Sequence, residues 1–149
     1  MDKKNLSISK EKIHLNNLIT DLSDSILMKV QEKNGPISFN LDAKQDLIIA
    51  DKMHLTNVIY NLLDNALKYS DGDLQIALQD DGTIIISNTA SKLNDVQVGR
   101  LFDRFFTVEA ARNSSGLGLA IAKNLVEQMG GSIAASYHNW VLSITVQFN

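Results

Sequence analysis

The sequence predicts an α+β fold, a two-layer sandwich in which a mixed sheet of about five strands is covered on one face by about three helices. Three observations carry that prediction. Apolar residues recur at helical spacing in three separate stretches. Between them lie short alternating runs punctuated by Gly, Pro and Asp-Gly, which read as strands and tight turns. The order of these elements is neither strict strand–helix–strand nor all-strand. With 149 residues, 44% hydrophobic and 21% charged, the chain has the make-up of one compact domain. That length buries roughly 70% of the surface of its unfolded chain, so no disulfide or metal staple is required.

Residues 5–13 are short, alternating and charged, an edge strand or a linker remnant, so residues 1–13 are set apart from a domain over 14–149. From His14 to Lys33, Leu15, Leu18, Ile19, Leu22, Ile26, Leu27 and Val30 mark a first helix, which Asn34-Gly35-Pro36 ends. Ile37–Leu41 alternates as a strand, and Leu47–Ala50 is a short apolar one. Asp51 stands as the N-cap of a second helix over residues 51–70. Asp71-Gly72 breaks it. Leu74–Leu78 and Thr83–Ser87 form a hairpin around a two-residue Asp81-Gly82 turn. The polar stretch from Asn88 to Ser115 holds only a short helical piece over Val98–Phe106, and loops of that length are usually functional lids or disordered. A third helix runs from Gly116 to Met129, closed by Gly130-Gly131. Ser132–Tyr137 and Val141–Phe148 finish as a hairpin around His138-Asn-Trp140.

The second helix is the most informative segment. Projected at about 100° per residue, it puts Leu55, Ile59, Leu62, Leu63, Ala66 and Leu67 on one face, a stripe wide enough to bury against a sheet. The other face gathers Asn57, Asn61, Asp64, Asn65 and Lys68. A merely solvated face more often carries Glu, Lys, Gln or Arg, because Asn competes for backbone hydrogen bonds and costs helix propensity. Asn61 and Asn65 one turn apart, with Lys68 beyond them, therefore have the character of ligand groups. An amide oxygen can hold a hard cation and an ammonium can hold phosphate. The plain alternative is a tolerated polar face.

Two further segments add to this. Ser114-Ser115-Gly116-Leu117-Gly118-Leu119-Ala120 places two glycines at a helix start, where free amides and the positive dipole end suit an anion. It is neither a dinucleotide fingerprint nor a P-loop, and alone it reads more readily as ordinary helix entry. Leu101-Phe102-Asp103-Arg104-Phe105-Phe106 could simply pin a loop to the core. That accounts less well for Arg104 and Arg112, whose guanidinium forks suit phosphate oxygens; ordinary surface arginine is the plain alternative for each.

Composition removes other classes of function. There is no cysteine, hence no disulfide, thiolate zinc site or cysteine nucleophile. A net charge of −3 without a basic run argues against nucleic acid. No apolar stretch reaches membrane-spanning length, and the start MDKKNLSISKEK is no signal peptide.

In this order and spacing the three segments resemble the boxes of the catalytic ATP-binding domain of sensor histidine kinases, in a superfamily shared with chaperone, gyrase and mismatch-repair ATPases. Asn61–Ser70 is similar to the N box, Phe102–Phe106 to the F box, and Ser114–Lys123 to the second glycine box. The resemblance runs from residue 14 to the C-terminus. It implies a Bergerat fold, a left-handed βαβ sandwich, with Mg-ATP held between the Asn-rich helix and a flexible lid. On this chain it implies that Asn65 coordinates Mg2+, that Asn61 supports it, and that Lys68 pairs with phosphate. Tyr69 would flank the adenine or ribose, and Ser115, Gly116, Leu117, Gly118 and Leu119 would cradle the phosphates, with Arg104 and Arg112 in the lid region. The related ATPases carry a glutamate where this chain has Asn61, and a neutral amide cannot act as a general base. That favours phosphoryl transfer over hydrolysis.

Two departures bear on the reading. The family's Asp-x-Gly-x-Gly box is here Asn88-Thr89-Ala90-Ser91-Lys92. The family's Asp accepts a hydrogen bond from the adenine amino group; Asn88 can accept without the charge, a difference of roughly 1 kcal/mol or more. Ala90 and Lys92 also resist the φ > 0 conformations that glycine adopts freely. Weakened ATP affinity is expected, looser than a dissociation constant of about 10 µM. The phosphoacceptor motif is also absent: His14, His54 and His138 lie in surface or cap contexts, so no catalytic residue is assigned within the chain.

The resemblance accordingly implies a catalytic domain that begins just after the dimerising helical hairpin, itself monomeric and almost inactive alone. Its partners would be the dimerisation and phosphoacceptor domain of the same protein and, indirectly, a response regulator. The parent would be dimeric and anchored in the inner membrane, with this domain in the cytoplasm. Two alternatives stand beside it: a degenerate interaction module that no longer binds nucleotide, and an anti-sigma-type serine kinase.

Overall fold

The computed structural model describes residues 8–31, 37–40, 47–104, 106 and 118–148. Its elements run β1 (Lys10–His14), α1 (Leu15–Gln31), β2 (Ile37–Asn40), β3 (Leu47–Asp51), α2 (Lys52–Tyr69), β4 (Leu74–Leu78), β5 (Ile84–Thr89), α3 (Asp95–Val98), α4 (Gly118–Gln128), β6 (Ser132–His138) and β7 (Val141–Gln147). The α+β class holds. The main sheet has five strands in the order β2-β4-β5-β7-β6, mixed because β2 and β4 are parallel and the other neighbours antiparallel. β1 and β3 form a separate two-stranded antiparallel sheet, so the segment before α1 is a strand from Lys10 onward. With the one-turn α3, the described helices number four.

Strand alternation decides which sheet face meets the helices. Ile76, Ile86 and Ile144 share one row of the register and are all buried, as are Leu78, Ile84 and Val146 in the next. The opposite face carries Gln75, Ser87, Ser143 and Ser136 in one row, with Ser87 and Ser143 hydroxyls 3.0 Å apart. Its short polar side chains suit a face turned to water, and the helices cover only the apolar one.

α2 supplies the largest share of the helical layer. Its predicted apolar stripe is buried in full, joined by Val58 and Tyr69. Each such Leu or Ile contributes roughly 1.5–3 kcal/mol through the apolar area it removes from water. Asp51 caps the helix in an extended conformation, its carboxylate accepting from the His54 backbone N–H at 3.1 Å and from Ser9 N–H at 2.7 Å. One carboxylate thus ties the entry of β1 to the first turn of α2.

Two local expectations are corrected. The short helix lies at Asp95–Val98 rather than Val98–Phe106, because Asn94 and Gln97 form a reciprocal capping box and Gly99 caps the turn. The β4–β5 turn spans three residues: Gln79 N–H bonds Thr83 O at 2.9 Å, and Gly82 sits at φ 85° after a 79–82 turn. The final hairpin turns on Asn139 and Trp140, at φ 50° and 67°, a left-handed pair in which a bulky residue is unusual. Gly131 is needed for space, since a Cβ there would lie 2.5 Å from Gln147 O.

Candidate functional site

α2 buries one face, so its other face is what it can offer a ligand. Asn61, Asp64, Asn65 and Lys68 lie there, all half-buried. The Lys68 ammonium pairs with Asp64 at 3.0 Å, one turn back on the same helix. Asn65 Nδ2 is buried and has no hydrogen-bond partner among the described residues. A buried amide left unpaired costs about 1–3 kcal/mol, so this side chain is held short of its bonding capacity in the ligand-free protein.

α4 packs along α2 and buries Leu119, Ala122, Leu125 and Val126. This brings two of the three segments together. A Cβ on Gly118 would lie 3.6 Å from Asn61 Oδ1 and 3.8 Å from its Cγ, so the Asn61 amide lies directly against the first residue of α4. Leu119 points inward and is 5% exposed, leaving only its backbone for ligand contact. Ser115, Gly116, Leu117 and Arg112 lie outside the described residues.

The third segment is anchored beside them. Leu101 is buried and Phe102 packs against the core. Lys123 of α4 sits over the Phe102 ring at 5.7 Å, and Arg100 over the Phe106 ring at 4.6 Å, within the range of cation–π attraction. Arg104 is exposed in the turn between them. Tyr69, expected to flank a nucleotide base, is 6% exposed and belongs to the core cluster.

Asn88 ends up on the inward face of β5, opposite Leu142 and 2% exposed. Its Nδ2 donates to Thr89 O at 3.3 Å. As the replacement of the family's glycines leads one to expect, none of Thr89, Ala90, Ser91 or Lys92 has a positive φ. Asp73 accepts from Thr89 N–H and Thr89 Oγ1, both at 2.8 Å. Asp71 accepts from Ser91 N–H at 2.9 Å, and its own N–H donates to Thr89 O at 2.8 Å. From the final hairpin, Trp140 O accepts from Ala90 N–H at 2.7 Å and Tyr137 donates its hydroxyl to Ala90 O at 2.6 Å. Burial, reinforced by Asp71 and Asp95, holds the Tyr137 phenol above its ordinary value and keeps that donor protonated. Sequence reasoning treated Asp71-Gly72 only as a helix breaker; the signal it passed over was a pair of acceptors, Asp71 and Asp73, in one turn.

Among the described residues no cluster of three His, Cys, Asp or Glu could hold a metal. A cation here would rest on Asn65 Oδ1 and the ligand's own oxygens, a donor set that suits a hard ion such as Mg2+, while the unpaired Nδ2 is a donor for an anion. A separate cleft of about 220 Å³ between β1 and α1 is lined by none of the candidate residues.

Residues 50–147 match the family of histidine kinase-, DNA gyrase B- and HSP90-like ATPases. The chain belongs to that family. Among its curated relatives are the sensor protein RprX of Bacteroides fragilis, 33% identical over 90% of this chain and 28% of the relative, and the heme sensor protein HssS of Staphylococcus aureus, 35% identical over 91% and 31%. The chain therefore spans less than a third of these relatives' length. In fold, the family domain resembles the catalytic domain of histidine kinase ThkA, with a TM-score of 0.82, 21% identity and coverage of 94% and 97% of the two chains. It also resembles the mycobacterial sensor histidine kinase MprB, with a TM-score of 0.76, 24% identity and coverage of 93% and 95%. Neither the interaction module nor the serine kinase draws support from these comparisons. No helix among the described residues is long and apolar enough to cross a membrane.

Proposed function

We propose that this ATPase-family domain binds Mg-ATP between α2 and α4 and presents the γ-phosphoryl group to a histidine on another domain, as the catalytic part of a sensor histidine kinase. The observation that carries the reading is the meeting of Asn61 with Gly118, beside an Asn65 amide whose nitrogen is buried and unpaired. Phosphates lying over the first turn of α4 would meet the N–H groups of Gly118 and Leu119 and the positive end of the helix. Ser115, Gly116, Leu117 and Arg112 would extend that cradle, with Arg104 at its rim. Lys68 would move from Asp64 to phosphate, exchanging a half-buried pair one helical turn apart for a more highly charged partner. Mg2+ at Asn65 would neutralise charge on the phosphate oxygens.

The base would reach toward Asn88, whose oxygen accepts from a 6-amino group, with Tyr69 in the wall beneath. By helix rise, Asn61 and the end of α2 beside Thr89 are separated by about 13 Å, a span that suits a nucleoside triphosphate. Asn61 offers no base to activate water, so the domain holds ATP for transfer. The acceptor domain, the response regulator and the membrane anchor belong to the longer protein that this reading implies; ThkA has been solved with a response regulator, TrrA.

Calorimetric titration with ATP, with and without Mg2+, on the wild type and Asn65→Ala tests this. Mg-dependent heat that disappears in the variant is expected. Absence of binding at millimolar ATP would remove the reading.

A further inference from the structure

We infer that Asp73 is a positioning residue of the nucleotide site, fixing through side-chain hydrogen bonds the glycine-free backbone that follows Asn88. The inference rests on the proposed reading that the base reaches Asn88. Every backbone polar group from Thr89 N to Ser91 N is engaged. Thr89 N–H goes to Asp73, Thr89 O to Asp71 N–H, Ala90 N–H to Trp140 O, Ala90 O to the Tyr137 hydroxyl, and Ser91 N–H to Asp71. A three-residue segment without glycine is thereby fixed from two directions, by the α2–β4 turn and by the tip of the last hairpin.

Asp73 has the most direct leverage on the ligand. Its two oxygens take Thr89 N–H and Thr89 Oγ1, each at 2.8 Å. Thr89 N–H lies in the same peptide plane as the Asn88 carbonyl, so the carboxylate sets the orientation of the unit that carries the Asn88 side chain. Ser70, the C-cap of α2, donates its hydroxyl to Asp73 O and stands 3.3 Å from Asp73 Oδ1. The same turn therefore joins the end of the Asn-rich helix to the base side of the site, and Asp73 touches neither phosphate nor metal in this arrangement.

The test compares Asp73→Ala, Asp73→Asn and Asn65→Ala in the full chain, measuring Mg-ATP and Mg-ADP affinity, urea denaturation and amide exchange at Thr89. A base-side positioning role predicts that Asp73→Ala weakens ATP and ADP by the same factor, about tenfold, in protein that remains folded. Asp73→Asn, which keeps one acceptor, should recover part of that loss, and Thr89 exchange should quicken at least about tenfold in the alanine variant. Asn65→Ala should instead weaken ATP and ADP unequally. A folded Asp73→Ala with ATP affinity within about twofold of wild type overturns the inference, as does a loss confined to ATP. If the alanine variant does not fold, Thr89→Val removes only the Oγ1 contact; equal losses of about two- to threefold are expected, and unchanged affinity overturns. Wild-type protein that binds no nucleotide sinks the proposed function itself; binding that ignores Asp73 sinks this inference alone.

Discussion

Gly118→Ala separates the two reasons a glycine can stand at the start of α4. The added methyl would meet Asn61 Oδ1 at 3.6 Å and Asn61 Cγ at 3.8 Å, ordinary van der Waals contact, and the backbone there has no positive φ. Among the described residues, sterics therefore do not demand glycine. Helix propensity favours the substitution, by up to about 1 kcal/mol in a helix interior and by a fraction of that at a first residue. The expected stability change runs from zero to about +0.5 kcal/mol, or a rise in Tm of up to about 2 °C for a domain of this size. Binding should move the other way. The methyl occupies the approach to the first-turn amides and the Asn61 side chain, so Mg-ATP affinity is expected to fall at least about tenfold. Thermal denaturation and calorimetry on one preparation read both quantities. Gly131→Ala is the internal control: its Cβ would sit 2.5 Å from Gln147 O and 2.9 Å from Phe148 Cδ1, and a loss of about 2 kcal/mol or more is expected. A Gly118→Ala protein that binds ATP as the wild type does, or that loses more than about 1 kcal/mol of stability, would refute the argument that this glycine is kept for a ligand.

Asp51 is held below its ordinary value of 3.8, first by the Ser9 backbone N–H and then by that of His54. A lowered folded pKa stabilises the protein above the unfolded value and is lost as pH falls through the folded one. Asp51→Asn, which keeps a cap but loses the charge, should therefore be less stable than wild type near neutrality, and urea titrations from neutral to acid should show that gap closing below about pH 4. Tyr137→Phe deletes the hydroxyl donated to Ala90 O and Leu93 O; a loss of about 1 kcal/mol and a Tm lower by roughly 2–4 °C are expected by thermal denaturation.

What could be read from the sequence was what local chemistry dictates. α2 was legible because its apolar stripe has one period, Asp51 caps it, and asparagine on its other face runs against helix propensity. The final hairpin was legible because its two strands alternate cleanly on either side of His138-Asn-Trp140. The juxtaposition of Asn61 with Gly118 was implied only through family resemblance, since spacing along a chain carries no distance between helices. The segment after Asn88 was read only through the glycines it lacks. Ala90 and Lys92 take no positive φ, as their side chains require, but the hydrogen bonds from Asp71, Asp73, Tyr137 and Trp140 that hold this path were not legible. Such bonds join residues far apart in sequence and leave no periodic signature. The displaced α3 is different: Asn94 and Gln97 are a readable capping box, and the phenylalanines downstream drew the helix too late.

The last hairpin also makes the protein its own optical reporter. Trp140 is the single tryptophan of the chain, so near-ultraviolet excitation yields emission from one indole and no average over several. That indole is 61% exposed, while its backbone carbonyl is bonded to Ala90 N–H at 2.7 Å, two residues past Asn88. A shift of the chain beside Asn88 pulls on the peptide that carries the chromophore. The emission of unlabelled protein therefore reports on the chain beside Asn88, the base side of the proposed nucleotide site.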